Sequence, residues 1–113
     1  PRFRGRVFVL VDAVNSSATF QFAQLVRELK VGTLVGEPTG GNRRGINGGA
    51  FFFVRLPGTG LEVDLPLIGY FPASAEPDAG LQPDVPMTRT VDDIAAGVDP
   101  APRTIKRLMF REL

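Results

Sequence analysis

Apolar and polar stretches alternate along the first third of the chain in the order of a strand, a helix and a second strand. Residues 7–11 read VFVLV, a continuous β-branched run typical of a strand buried on both faces of an α/β sheet. After a polar turn, a helix is predicted to about Lys30, with Gly32 in the region where it stops. Its inward face is predicted by four apolar residues at helical spacing: Phe22, Leu25, Val26 and Leu29. Residues 33–36 predict the second strand and complete a βαβ unit.

A hairpin is predicted in the middle of the chain. Residues 37–49 read EPTGGNRRGINGG and form a long glycine-rich loop. Residues 50–56 read AFFFVRL and predict a core strand, and residues 61–67 alternate as a half-buried strand. The turn at residues 57–60 joins the two strands.

The last third of the chain predicts a loop, a short strand and two helices. The loop spans residues 71–83 and the strand residues 85–87. One helix opens at Thr90 and runs to about Ala96, and a terminal helix covers residues 102–110. The terminal helix carries three apolar residues on one face: Ile105, Leu108 and Met109. The element order predicts a single α/β domain.

Composition excludes several function classes. The chain has 113 residues, enough for one domain, and a net charge of +1, which excludes a strong overall field for nucleic acid or a membrane surface. Cysteine and histidine are both absent, so this chain alone builds no disulfide, no thiolate or imidazole metal site and no Ser-His pair. No apolar run reaches the ~18 residues of a membrane span. The first residue is proline rather than methionine, and we interpret the chain as part of a longer protein.

Ser17 is the best candidate for chemistry. It follows a predicted buried strand and begins a helix, a placement that presents a hydroxyl at the sheet edge near the positive end of the helix dipole. The backbone N–H of Ala18 would then face a developing oxyanion. The alternative is that Ser16, Ser17 and Thr19 only cap the helix.

A serine nucleophile also needs a base, and the residues alone do not supply one. Lys30 lies about 20 Å along the same helix at 1.5 Å per residue, and nothing places Lys106 near Ser17. Four acidic residues stand near loops, where any of them is able to orient a base: Glu37, Glu76, Asp78 and Asp84.

The glycine-rich loop has two interpretations. Its backbone N–H groups, with Arg43 and Arg44, are suited to gripping a carboxylate or phosphate, although the loop lacks the ending of a P-loop. The second interpretation, which we favour, is a flexible, solvated turn.

The ordered set of features resembles a family of serine peptidases. Residues 7–42 (VFVLVDAVNSSATFQFAQLVRELKVGTLVGEPTGGN) resemble the core of the C-terminal processing peptidases, also called tail-specific proteases. That family includes tricorn-type enzymes and the repeats of interphotoreceptor retinoid-binding protein. Residues 79–85 (AGLQPDV) resemble its Gly-x-x-Pro-Asp-Val segment, and residues 90–100 resemble its closing helices. The resemblance covers nearly the whole chain.

The resemblance implies a fold and a mechanism. The fold would be a crotonase-like (ClpP-like) ββα spiral, of which residues 1–113 would be the C-terminal portion of one catalytic domain. Ser17 falls on the family nucleophile, and the Ala18 N–H on one oxyanion donor. The Lys base of the Ser-Lys branch falls on Asn42, which cannot act as a base, so the chain does not resemble a Ser-Lys enzyme. Gly40, Gly41 and Asn42 are expected to bind substrate.

The tricorn-like branch fits better, since its base is a histidine from a preceding part of the domain, assisted by an acid near Glu76 or Asp78. The resemblance therefore implies a serine endopeptidase that needs no cofactor, acts on peptide or protein substrates and takes its base from outside this chain. The alternative is a non-catalytic module of the same fold that binds a peptide or apolar ligand. Self-association through exposed strand edges is also expected. Export is implied by the resemblance alone.

Overall fold

The computed structural model describes residues 3–110 and contains five strands and three helices in that range. The elements follow in chain order: β1 (Phe8–Val11), α1 (Ser17–Glu28), β2 (Thr33–Gly36), β3 (Ile46–Arg55), β4 (Glu62–Tyr70), β5 (Val85–Pro86), α2 (Val91–Ala95) and α3 (Ala101–Phe110). The mixture of helices and parallel strands makes this an α/β protein, as the sequence predicts.

A parallel three-stranded sheet with the order β1–β2–β5 forms the centre of the molecule. Val9 pairs with Leu34 and Val35 pairs with Val85. Since β1 and β2 are parallel and α1 connects them, the predicted βαβ unit is confirmed. The core lies between this sheet and α1, where Leu34 is fully buried and Phe20 is 2% exposed.

The strand that is buried on both faces is β2, not β1. The prediction for residues 7–11 is wrong, because Val7 and Leu10 are exposed and only Val11 is buried. β1 is an edge strand, whereas β2 lies in the middle of the sheet and Val35 is fully buried. Central position, not apolar content, decides burial here.

The inward face of α1 also differs from the prediction. Phe20, Ala23 and Val26 are buried at a spacing of three residues. Three of the residues expected inside are exposed: Phe22, Leu25 and Leu29. α1 carries two apolar faces, and the sheet covers only one of them. The helix stops at Leu29 because Lys30, and not Gly32, takes a left-handed backbone conformation with φ 51°.

β3 and β4 form a separate antiparallel hairpin, as predicted, with longer strands than expected. β3 begins at Ile46, inside the stretch assigned to the glycine loop, and β4 continues to Tyr70. The predicted core role of residues 51–53 is wrong, since all three phenylalanines are exposed. β4 is exposed along its whole length rather than half-buried.

The C-terminal helices agree with the predicted order. Thr90 caps α2 through a capping box, in which its hydroxyl accepts from the Asp93 N–H and the Asp93 carboxylate accepts from the Thr90 N–H. On α3, Ile105 and Leu108 are half-buried, whereas Met109, expected on the same face, is exposed. No helix within residues 3–110 is both long and apolar enough to cross a bilayer.

Candidate functional site

Ser17 occupies a sharp junction between β1 and α1. The chain leaves β1 at Val11, passes through a turn in which the Asn15 N–H donates to the Asp12 carbonyl, and enters the helix at Ser17. The φ of Ser17 is 52°, in the left-handed region that favours glycine and costs a serine free energy. Strain of this kind is typical of a side chain held in a set direction at a strand-to-helix elbow.

Neither serine at this junction caps the helix. Ser16 is the N-cap residue by backbone geometry, but its hydroxyl makes no capping hydrogen bond. Within residues 3–110, the Ser17 hydroxyl and the Ala18 N–H have no hydrogen-bond partner, and both residues are exposed. For the two serines the capping interpretation therefore loses its basis, and an accessible Ser17 hydroxyl beside a first-turn N–H group stays available for chemistry. Thr19 donates its hydroxyl to the Ser16 carbonyl at 2.8 Å at the start of the helix.

Gly48 lies next to the Ser17 hydroxyl. A Cβ added to Gly48 would lie 3.5 Å from Ser17 Oγ. The pairing of β3 with β4 shifts register between Gly48 and Phe51, and Gly49 takes a φ of 80° in this irregular stretch. β-bulges redirect the backbone and leave part of the ladder unpaired. The bulge thus brings the start of β3 against Ser17 without placing a side chain over the hydroxyl.

The loop after β2 is packed rather than flexible, so the favoured interpretation is wrong. Thr39 is 5% exposed, and its hydroxyl accepts from the Leu81 N–H at 2.9 Å. A Cβ on Gly40 would lie 2.3 Å from the Ala13 carbonyl oxygen, and one on Gly41 would lie 2.8 Å from the Phe20 ring. These glycines permit close contact with the turn before Ser17 and with α1.

Asn42 connects this loop to the segment after β4. Its amide Nδ2 donates to the Asp78 carboxylate, and its Oδ1 accepts from the Arg44 N–H at 2.8 Å. Arg44 also donates to Asp78 at 3.0 Å. The hydrogen bond from Asn42, then the hydrogen bond and charge of Arg44, hold the pKa of Asp78 below its ordinary value.

Arg43 forms an ion pair with the other candidate acid, Glu76. Both guanidinium groups of the loop are thus paired with carboxylates, which weighs against anion binding through Arg43 and Arg44. The structure brings Asn42, Glu76 and Asp78 into one cluster. In this cluster Asp78 contacts Asn42 and Arg44, and Glu76 contacts Arg43.

Two other acidic residues take different places. Asp84 accepts from the Leu34 N–H at 2.7 Å and holds the start of β5 to β2, so its role is structural. Glu37 lines a cleft of about 310 Å³ at the carboxyl ends of β1 and β2, together with Asp12, Asn15 and Asp99. Ligands of open α/β sheets commonly bind at this edge.

Lys30 lies too far from Ser17 to act as its base. Lys30 follows the C-cap of α1, about 20 Å from Ser17 at the helical rise. Lys106 is exposed on α3.

Sequence reasoning missed Gly48 and the buried Thr39. The Gly48-Gly49 pair inside a strand is the signal for a bulge or a close backbone approach. Thr39 gave no such signal, because its partner Leu81 is distant in sequence.

Comparison with known protein families gives a match. The family model described as Peptidase family S41 matches residues 1–87, which covers β1 through β5 and every residue of the Ser17 site described above. α2 and α3 lie beyond the matched range. The sequence matches no curated protein.

Proposed function

Because the chain belongs to peptidase family S41, we propose that Ser17 is the nucleophile of a serine endopeptidase of the C-terminal processing type. The observation that carries the proposal is the exposed Ser17 hydroxyl, which has no hydrogen-bond partner within residues 3–110 and stands on a backbone with φ 52°. A hydroxyl that only stabilised the helix would be hydrogen-bonded to a first-turn N–H.

The proposed reaction runs through an acyl-enzyme. Ser17 Oγ attacks the carbonyl carbon of the scissile peptide bond while its proton passes to a general base. The Ala18 N–H, together with a second donor from outside this chain, holds the oxyanion. The base then gives its proton to the leaving amine as the C–N bond breaks. Water hydrolyses the ester and restores the Ser17 hydroxyl.

The base is proposed to come from outside these 113 residues, as in the tricorn-like branch, where it is a histidine. Asn42 supports this assignment, because it stands where the Ser-Lys branch has its lysine and its amide is already bonded to Asp78 and Arg44. Asp78, or Glu76 beside it, is proposed to orient that base. The ionised state of Asp78, favoured by its lowered pKa, suits this role.

The substrate peptide is proposed to lie between the start of β3 and the loop that contains Gly40, Gly41 and Asn42. Gly40 abuts the turn before Ser17 and Gly41 abuts α1, so this loop forms one wall beside the nucleophile. Asn15, two positions before Ser17, lines the cleft at the strand ends. We further propose that residues 1–113 form the C-terminal portion of a crotonase-like catalytic domain that uses no cofactor. Export from the cytoplasm is part of the same proposal and rests only on the resemblance.

A second candidate function is a non-catalytic module of the same fold that binds a peptide or an apolar ligand. Asn42 favours it as well, because an amide in place of a lysine is also what a member of the family without activity would carry.

One labelling experiment distinguishes the peptidase from the binding module. A fluorophosphonate forms a bond from Oγ to phosphorus and displaces fluoride only where a serine is activated. On the longest form of the protein that contains these residues, we expect one adduct by intact mass, absent from Ser17→Ala. Ser16→Ala is the matched control, since its hydroxyl makes no capping bond, and should keep the adduct. A folded protein without an adduct supports the binding module, and an adduct that survives Ser17→Ala refutes the assignment of the nucleophile.

A further inference from the structure

The hairpin of β3 and β4 exposes a continuous apolar surface. Its sequence is that of a buried strand pair, yet Phe52 is 60% exposed and Leu61 is 63% exposed. We name one side of the hairpin the ribbon face, and seven residues form it: Phe52, Val54, Leu56, Leu61, Val63, Leu65 and Leu67.

The strand register separates this face from all charge on the hairpin. Residues directly opposite each other point to the same side, and Val54 pairs with Val63 at the middle of the ribbon face. Arg55 pairs with Glu62 on the other side, where Asp64 also lies. The ribbon face is therefore apolar from end to end, and burying it would desolvate no charged group.

The exposed area is large enough for a specific interface. Residues of this size present roughly 150–200 Å² when fully accessible, so the open part of the ribbon face amounts to about 500–600 Å² per chain. Two such faces would bury about 1,000–1,200 Å², which reaches the lower range of specific protein interfaces. A two-stranded hairpin without such cover is only marginally stable in water.

We propose that the ribbon face packs against the ribbon face of a second copy of this chain in a two-fold symmetric dimer. A wholly apolar surface without charge is complementary to itself and contains no charge pattern that selects a different partner. The two hairpins would stack as sheets about 10 Å apart, with Val54 and Val63 nearest the symmetry axis. This inference is independent of the role of Ser17.

Analytical ultracentrifugation of the full chain over a wide concentration range tests the dimer. We expect a monomer–dimer equilibrium whose dissociation constant rises at least hundredfold in Val63→Lys, because a lysine at the centre would be buried without a partner. Asp64→Lys is the matched control, since it adds the same side chain one position away on the opposite side, and should change the constant by less than about threefold.

Leu61→Lys is the second variant if Val63→Lys fails to fold, because Leu61 is exposed in the monomer and its replacement disturbs no core. The chain has no cysteine, so single cysteines add an independent readout. Val54→Cys should cross-link two chains through a short bifunctional thiol reagent, and Arg55→Cys should not. A strict monomer, polydisperse aggregation, a dimer that survives both lysine variants, or a longer form of the protein that is monomeric would each overturn the proposal.

Discussion

At the scale of single residues, two glycines near Ser17 differ in whether a side chain would fit in their place. Gly40 is a glycine because the Ala13 carbonyl leaves no room for a side chain. Gly48 has room, since an added Cβ would meet Ser17 Oγ at an ordinary contact distance of 3.5 Å. Steric need explains the first glycine and not the second. Under the proposed role of Ser17, the space over its hydroxyl is where the acyl group of a substrate would approach.

Gly48→Val should slow acylation of Ser17, and the first carbon it adds fits without a clash. A reacting carbonyl carbon must come to about 3–3.5 Å from Oγ, the space that the new side chain would occupy. We expect the rate of fluorophosphonate labelling to fall at least tenfold, with a smaller loss for Gly48→Ala. Gly58→Val is the control, because a Cβ there meets nothing within 4 Å. An unchanged labelling rate in Gly48→Val would show that the acyl group approaches from elsewhere.

Asp78→Asn should destabilise the protein at neutral pH and lose that effect in acid. The folded pKa of Asp78 lies below its ordinary value of 3.8, chiefly because Asn42 and then Arg44 hydrogen-bond to the ionised carboxylate. A lowered folded pKa stabilises the fold above the unfolded pKa, and the stabilisation is lost as the pH falls through the folded value.

The measurement is the midpoint of thermal unfolding for both proteins at neutral pH and at a pH well below 3.8. The wild type should have the higher midpoint at neutral pH, and the two should converge in acid. Asp64→Asn removes one charge from an exposed position on β4 and serves as the control. A difference that persists in acid would mean that the packing of the side chain, not its charge, stabilises the loop.

At the scale of elements, β1 packs so closely against the end of β2 that position 36 has room only for a glycine. A Cβ there would lie 2.1 Å from the Val11 carbonyl oxygen, and the φ of Gly36 is 134°. Gly36→Ala should therefore lower the free energy of unfolding by about 2–4 kcal/mol, through backbone strain and overpacking together. Urea denaturation measures the loss, and Gly58→Ala should change the value by less than about 0.5 kcal/mol. A loss of the same small size in Gly36→Ala would show that β1 and β2 move apart easily.

The helices and strands also show which parts of the fold can be predicted from the sequence. Local patterns identified the βαβ unit and the hairpin, since each depends on neighbours in the chain. The inward face of α1 was not predictable, because Phe22 and Leu25 fit helical spacing as well as Phe20 and Ala23 do, and only contact with the sheet selects between them. The start of β3 was hidden by glycines 45, 48 and 49, which have low strand propensity.

The candidate site, like the fold, could be predicted from the sequence only in part. The position of Ser17 after β1 followed from sequence order, and the structure agrees with it. The hydrogen bond from Asn42 to Asp78 joins residues 36 positions apart, and no local pattern predicts a pairing at that separation.

At the scale of the whole molecule, the chain divides into a core and an extension. The core is the three-stranded sheet with its helices, and the hairpin forms a second sheet. The molecule measures 64 × 39 × 32 Å, with a radius of gyration of 18.3 Å. A compact chain of this length would have a radius of about 13 Å. The extended shape accounts for the open ribbon face, since a compact arrangement would cover it.

Hydrogen exchange should therefore distinguish the two parts of the molecule by their response to protein concentration. Leu34 and Val35 lie in the buried centre of the core, so the amides of β2 should already be protected in dilute solution. The amides of β3 and β4 should exchange rapidly in dilute solution and become protected at high concentration, as dimer formation stabilises the hairpin. Val63→Lys should abolish that dependence, whereas Asp64→Lys should preserve it. Hairpin protection that is equal at every concentration would show that the ribbon face needs no partner.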